Sequence, residues 1–252
     1  MFEISLDLAL LLIVAAFVAG FVDSIAGGGG LITLPALLLV GATPLQALST
    51  NKVQGVFGAA TAAFAYSRSG HVQLRGQWRA ALIALGAGAA GAGLVTVVPT
   101  DGLRLVLPVV LIAIAIFFAV KKGLDDTDRH QRIPPAAYTL TVVPLIGFYD
   151  GLIGPGTGAF FMIGFVTLAG YGVLKATAHT KLLNFASNLG GLAVFAVSGA
   201  PWWVTGLAMG AAQVAGARLG ARLAMRVGAR IIKPLLVTTS TLLALRLLWQ
   251  ML

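Results

Sequence analysis

Four charged residues stand where the chain otherwise carries almost no charge. Lys52 and Lys181 lie inside long apolar segments, and Asp23 and Asp150 each precede a cluster of glycines. A lysine held in a bilayer interior costs about 3 kcal/mol on insertion scales, so each ammonium needs a partner, a ligand or an exit to the interface. Two readings follow. Each lysine snorkels outward or pairs with Asp23 or Asp150, or both point to one shared site and attract an anion. The two lysines are 129 positions apart, and Ser69-Gly70 and Ser198-Gly199 keep the same spacing.

Neutral donors accompany the second lysine. Thr177, Lys181, Asn184 and Asn188 fall at i, i+4, i+7 and i+11, one stripe of a helix. Such a stripe either holds helices together or lines a cavity, and amides beside an ammonium suit an oxyanion. The first half offers Thr50, Asn51, Lys52 and Gln54, but Gly55 and Ala59 replace the two asparagines, so any shared site is asymmetric. Thr180, next to Lys181, joins the candidate set. His179 falls near the opposite side of that helix, where it either takes up a proton between pH 5 and 8 or packs as a neutral ring. Asp23 and Asp150 either carry protons or cap the amides of a restarting helix.

The stretch Gly20-Phe21-Val22-Asp23-Ser24-Ile25-Ala26-Gly27-Gly28-Gly29-Gly30 agrees with Gly147-Phe148-Tyr149-Asp150-Gly151-Leu152-Ile153-Gly154-Pro155-Gly156 at Gly, Phe, Asp and two further glycines. Glycine costs about 1 kcal/mol relative to alanine inside a helix, so both stretches predict broken helices. Backbone amides at Gly28, Gly29 and Gly30, and at Gly156, Thr157 and Gly158, could then face an anion at the positive end of a restarting helix. A tight crossing of two backbones is the other use of such glycines. A duplicated acid-bearing break, one copy per half, is a mark of transporters built from two repeats.

The whole composition points to lipid. Of 252 residues, 58% are hydrophobic and 10% charged, against about 25% charged in a soluble domain, and mean hydropathy is +0.95. Positions 24–51, 80–100, 151–174 and 182–217 carry no Asp, Glu, Lys or Arg. The last run is too long for one ~30 Å crossing, and Ser198-Gly199-Ala200-Pro201 supplies its turn, with Trp202 and Trp203 suited to an interface. Apolar segments are expected at about 4–22, 31–43, 49–66, 78–98, 103–120, 135–153, 157–173, 177–197, 202–222 and 231–250. The expectation is an all-α polytopic bundle of about 8–10 membrane segments. Segments 31–43 and 157–173 either cross or re-enter.

The basic residues set the topology. Arg68, Arg75 and Arg79; Lys121, Lys122, Arg129 and Arg132; Lys175; and Arg218, Arg222, Arg226, Arg230 and Lys233 hold 13 of the 17 basic residues, whereas loops 41–48, 99–104 and 198–203 hold only Arg104. With the rich loops cytoplasmic, both termini face the periplasm. Loop 67–77 is basic and its counterpart 198–203 uncharged, so the repeats, 1–120 and 136–252, are expected to be inverted. Residues 121–135 form a solvated cytoplasmic linker. The arginines repeating every four residues from Arg218 suit lipid headgroups. Gly86, Gly88, Gly91 and Gly93 suit close helix packing.

There are no cysteines, so disulfides and thiolate metal sites are excluded, and the net charge of +9 is distributed as a topological bias, not as a nucleic-acid surface. No cleavable leader, metal, cofactor or ATP-binding loop is expected. The sequence sets no oligomeric state. An intramembrane enzyme is disfavoured because the aspartates are single and in separate halves. A scaffold leaves the duplicated lysines unexplained, and a cation channel is disfavoured by them.

Gly20-Phe-Val-Asp-Ser-Ile-Ala-Gly-Gly-Gly-Gly, Ser49-Thr-Asn-Lys, Gly147-Phe-Tyr-Asp-Gly, Lys175-Ala-Thr-Ala-His-Thr-Lys-Leu-Leu-Asn and Gly216-Ala-Arg-Leu-Gly-Ala-Arg together resemble the TauE/SafE family of sulfite and organosulfonate exporters. The likeness is strongest to its YfcA-like branch of bacterial inner-membrane proteins and runs over nearly the full length. It implies a multi-pass permease, not an enzyme, moving small sulfur-containing anions such as sulfite or sulfoacetate. Another small anion, such as a carboxylate, is the alternative cargo.

Overall fold

The computed structural model describes residues 3–97, 116, 120, 125–198, 201–235, 237–238 and 241. Almost all of the expected segment 103–120, much of 231–250, both chain ends, Arg104, Lys121, Lys122 and the turn residues Gly199 and Ala200 lie outside them. Every described regular element is helical.

Eight helices carry the fold: α1 (Leu6–Ala26), α2 (Gly30–Leu39), α3 (Pro44–Arg68), α4 (Trp78–Val95), α5 (Val143–Leu152), α6 (Thr157–Thr167), α7 (Val173–Ser198) and α8 (Trp203–Val227). Local chemistry sets their ends. α1 stops at Gly27, whose φ of 79° is open to glycine and whose amide returns to the Asp23 carbonyl. Of the four glycines, Gly30 already belongs to α2, so the break is shorter than the glycine run. A capping box between Thr43 and Gln46, with Pro44 in the first turn, starts α3. Gly156, at φ 85°, precedes α6. Before α5 the helix widens to a π-turn over Tyr138–Val142. Pro144 lies just beyond it and offers no amide to the hydrogen-bond ladder.

α3, α7 and α8 have 25, 26 and 25 residues, long enough to cross ~30 Å of hydrocarbon at 1.5 Å per residue. Among the described residues, Leu6–Ala26 and Arg75–Val95 are both long and apolar enough to cross by themselves. α2 and α6, with 10 and 11 residues, reach only about 15 Å each.

Helix contacts keep their pattern when the halves are exchanged. α1 packs on α8 as α5 packs on α4; α3 packs on α8 as α7 packs on α4; α3 and α7 meet each other. The glycine series of α4 is used at these contacts. A Cβ on Gly88 would strike the Ser187 carbonyl, and one on Gly91 the Phe148 carbonyl.

Two hydrophobic clusters divide the molecule. One gathers Ile25, Ala62, Tyr66, Ala84, Phe161 and Ala221; the other gathers Leu12, Leu48, Ala92, Phe195 and Met209. α1, α3, α4 and α8 each run from one cluster to the other. Buried polar residues such as Asn51, Lys52, Gln54, Asn188 and Gln213 lie between.

The loops sort in the same way. Glu3 accepts from the amides of Val204 and Thr205, and Trp202 N donates to Thr50 Oγ1, so the basic-poor segments meet at one end. At the other end Asp126 accepts from Leu174 N and from Ala229 N, 2.9 Å each. Asp128 accepts from Gly172 N and pairs with Lys175 at 2.5 Å. The linker was expected as a solvated loop. It is exposed, but its aspartates pin it to the starts of two helical segments.

Candidate functional site

The polar layer is built from two crossed ion pairs. Lys52 Nζ on α3 lies 2.8 Å from Asp150 Oδ1 at the end of α5, and also donates to the Asp150 carbonyl at 2.5 Å. Lys181 Nζ on α7 lies 3.4 Å from Asp23 Oδ2 near the end of α1, and also donates to the Asp23 carbonyl. Each lysine therefore reaches into the other half and holds the carboxylate and main chain where that half's helix breaks. Lys52 is 1% exposed and Lys181 0%, so neither reaches an interface.

The carboxylates do more than pair. Asp23 Oδ1 accepts from Gly29 N at 3.1 Å, directly before α2 starts. Asp150 Oδ1 accepts from Thr157 Oγ1 at 3.0 Å, and Oδ2 accepts from Ser187 Oγ at 2.5 Å. In both halves the acid ties the break to the helix that restarts after it. The two breaks also touch, for a Cβ on Gly27 would lie 2.7 Å from the Gly158 carbonyl carbon. Both uses expected of the glycines, a restart and a crossing, occur together.

Around this crossing lies a cavity of about 30 Å³ lined by Gly28, Gly29, Gly30, Asn51, Gly156, Thr157, Gly158, Asn184 and Asn188, with Asp23 and Asp150 in its wall. It has room for about two waters. Lys52, Lys181 and Thr180 are not part of that lining; the lysines are held by the wall's aspartates. Thr180 Oγ1 is buried with no partner among the described residues. Thr177 donates to the Val173 carbonyl and lies against Met162, so its stripe divides, with only the asparagines reaching the cavity. His179 is elsewhere. Its Nδ1 is 2.5 Å from Gln77 Nε2, and its ring packs against Phe165 and Tyr171.

Sequence reasoning missed several wall residues. Gly55, Gly154 and Gln213 line the same cavity. Gln213 donates to Gln54 Oε1 at 3.1 Å, Gln54 donates to Asn51 Oδ1 at 2.9 Å, and Thr33 donates to that same oxygen at 2.6 Å. This chain fixes the Asn51 oxygen as an acceptor and turns its amide nitrogen toward the remaining space; that nitrogen lies 3.2 Å from where a Gly30 Cβ would stand. Gln213, a single amide within the apolar stretch 206–217, was the available signal. Chemically, the site offers neutral amide donors and short-helix starts to a small acceptor-rich guest, with two ammonium groups held in reserve behind carboxylates.

The family model for "Sulfite exporter TauE/SafE" matches residues 12–247. The chain is 57% identical to "Probable membrane transporter protein ORF9" of Sinorhizobium sp, over 98% of this chain and 94% of that protein. It is 41% identical to "Probable membrane transporter protein YfcA" of Escherichia coli (strain K12), over 99% of this chain and 93% of the other. It is 39% identical to a "Probable membrane transporter protein" of Haemophilus influenzae, over 98% and 97% respectively. No solved structure matches.

Proposed function

This chain belongs to the sulfite exporter TauE/SafE family of membrane transporters, and from that premise we propose that it is a secondary exporter of small sulfur-containing anions, such as sulfite or organosulfonates, across the bacterial inner membrane. The observation that carries the reading is the pair of crossed Lys–Asp contacts gripping two glycine breaks around one cavity. Substrate binds between the breaks, where Asn51, Asn184 and Asn188 supply amide donors and the starts of α2 and α6 supply positive helix ends.

The two halves act as inverted repeats, 1–120 and 136–252, joined by a cytoplasmic linker at 121–135, with both termini periplasmic. α2 and α6, each too short to span, re-enter the membrane after their breaks. Rocking of one repeat against the other exposes the site alternately. A cavity of about 30 Å³ is smaller than a sulfonate, so the cycle has to widen it. Each ion pair is formally neutral. Protonation of Asp23 or Asp150 frees an ammonium to hold the anion, which makes the aspartates the coupling groups better placed than His179.

Flux of sulfite and of sulfoacetate from proteoliposomes tests the site. Lys52→Ala and Lys181→Ala are each expected to lower flux at least tenfold, the loss set by ~1.4 kcal/mol; unchanged flux in both removes the lysines from the mechanism. Thermal stabilisation across sulfur oxyanions, carboxylates and lipid phosphates identifies the cargo class. Stabilisation by carboxylates alone would overturn the sulfur assignment.

A further inference from the structure

A second, much larger cavity, about 680 Å³, lies at the basic end of the molecule. Resting on the transport reading above, we propose that it is an anion-selective vestibule through which substrate reaches the central site from the cytoplasm. Three segments that are distant in sequence converge on it: the turn before α4, the linker, and the start of α7. They contribute His71 and Arg79, Gln131, and Tyr171 and His179. The described lining carries an arginine, two histidines and several amides, and no carboxylate. A cleft walled by one sign of charge raises the local concentration of the opposite ion. Its volume falls in the range of small-molecule sites, more than twenty times that of the central cavity.

The floor of the vestibule adjoins the central site. Leu183 lines the large cavity, and the next residue on α7, Asn184, lines the small one. The barrier includes the Gln77–His179 hydrogen bond, 2.5 Å long, and the rings of Phe165 and Tyr171 stacked at 5.5 Å between centroids. Gln77 belongs to the first half and His179 to the second, so a movement of one half against the other breaks this bond. Gln77 Oε1 is buried without a partner. Turning the amide over places two N–H donors there while its oxygen accepts from the His179 ring, which gives the barrier a second arrangement suited to a passing anion.

Because the chain has no cysteine, a single introduced thiol reports on this space alone. Ala136→Cys and Thr139→Cys place it in the lining. Each variant is treated in inside-out vesicles with membrane-impermeant thiosulfonate reagents, one anionic and one cationic, and each rate is normalised to that of a free thiol. The anionic reagent is expected to be favoured by about tenfold, the lower end of electrostatic focusing in clefts. Arg79→Gln should remove most of that preference and raise the KM for sulfoacetate efflux with kcat unchanged. Sulfoacetate should slow modification of Thr139→Cys. Equal rates for the two reagents, or modification only from the opposite membrane face, overturn the vestibule. Retained charge preference without flux of any sulfur oxyanion instead overturns the cargo assigned above, leaving the vestibule intact. Normal flux without charge preference does the reverse.

Discussion

A buried ion pair is a poor source of stability and a good source of conditional chemistry. Lys52 and Asp150 are each 2% exposed on their side chains, so their desolvation offsets most of their attraction. Removing one charge is a different matter. Lys52→Met strands Asp150 with two hydroxyl donors and no countercharge, which is expected to cost about 3–5 kcal/mol, read as a lowered unfolding temperature in detergent. Lys52→Met with Asp150→Asn removes both charges and should return stability to near the starting value, since apolar or neutral replacement of a buried pair is often neutral or better. Flux should stay lost in the double variant. Recovery of flux along with stability would reduce the pair to a clasp. At this scale the sequence was partly legible. The equal spacing of Lys52 and Lys181 marked both as special, and pairing with the aspartates was one of two open readings. Helical periodicity says which residues share a face, but not which face of another helix they meet. So it did not separate the lysines from the cavity or bring Ser187 to Asp150.

Helices in this fold approach through glycine, and the approach is duplicated between the halves. On α4 and α5, a Cβ on Gly151 would collide with the Gly88 carbonyl; on α1 and α8, one on Gly216 would collide with the Phe17 carbonyl. Gly93, on the same α4, has open space around it. The two positions should respond in opposite directions. Gly93→Ala is expected to stabilise by up to about 1 kcal/mol through helix propensity. Gly151→Ala is expected to cost about 1–3 kcal/mol through overpacking and to lower flux by shifting the Asp150 backbone beside it. Thermal unfolding of both variants checks this; equal effects would mean that the crossing is loose enough to adapt. The small-residue series and the short α2 and α6 were legible, because composition alone sets both. The π-turn before α5 was not anticipated, although Pro144 was its physical signal. The docking of the linker also escaped the sequence, since mixed charge reads as solvated until helix amides are brought within reach of Asp126 and Asp128.

For the whole molecule, charge and contact agree on two ends. The basic-poor loops gather around Glu3 and Trp202, and the basic-rich segments gather around the linker and the large cavity. The grouping was readable from Lys and Arg counts because that bias acts on whole loops and needs no knowledge of packing. Orientation across the bilayer is the step that decides the proposed mechanism, because alternating access at a shared site relies on repeats that face opposite ways. Ser69 and Ser198 make the test direct. They are 129 positions apart, both are exposed, and they end the equivalent helices α3 and α7. In a chain without cysteine, Ser69→Cys should react with an impermeant reagent only from the cytoplasmic face and Ser198→Cys only from the periplasmic face. Flux measured on the same vesicles guards against misfolding. Labelling of both from one face would mean that the halves run in parallel, and the crossed lysines would then no longer bind a rocking pair.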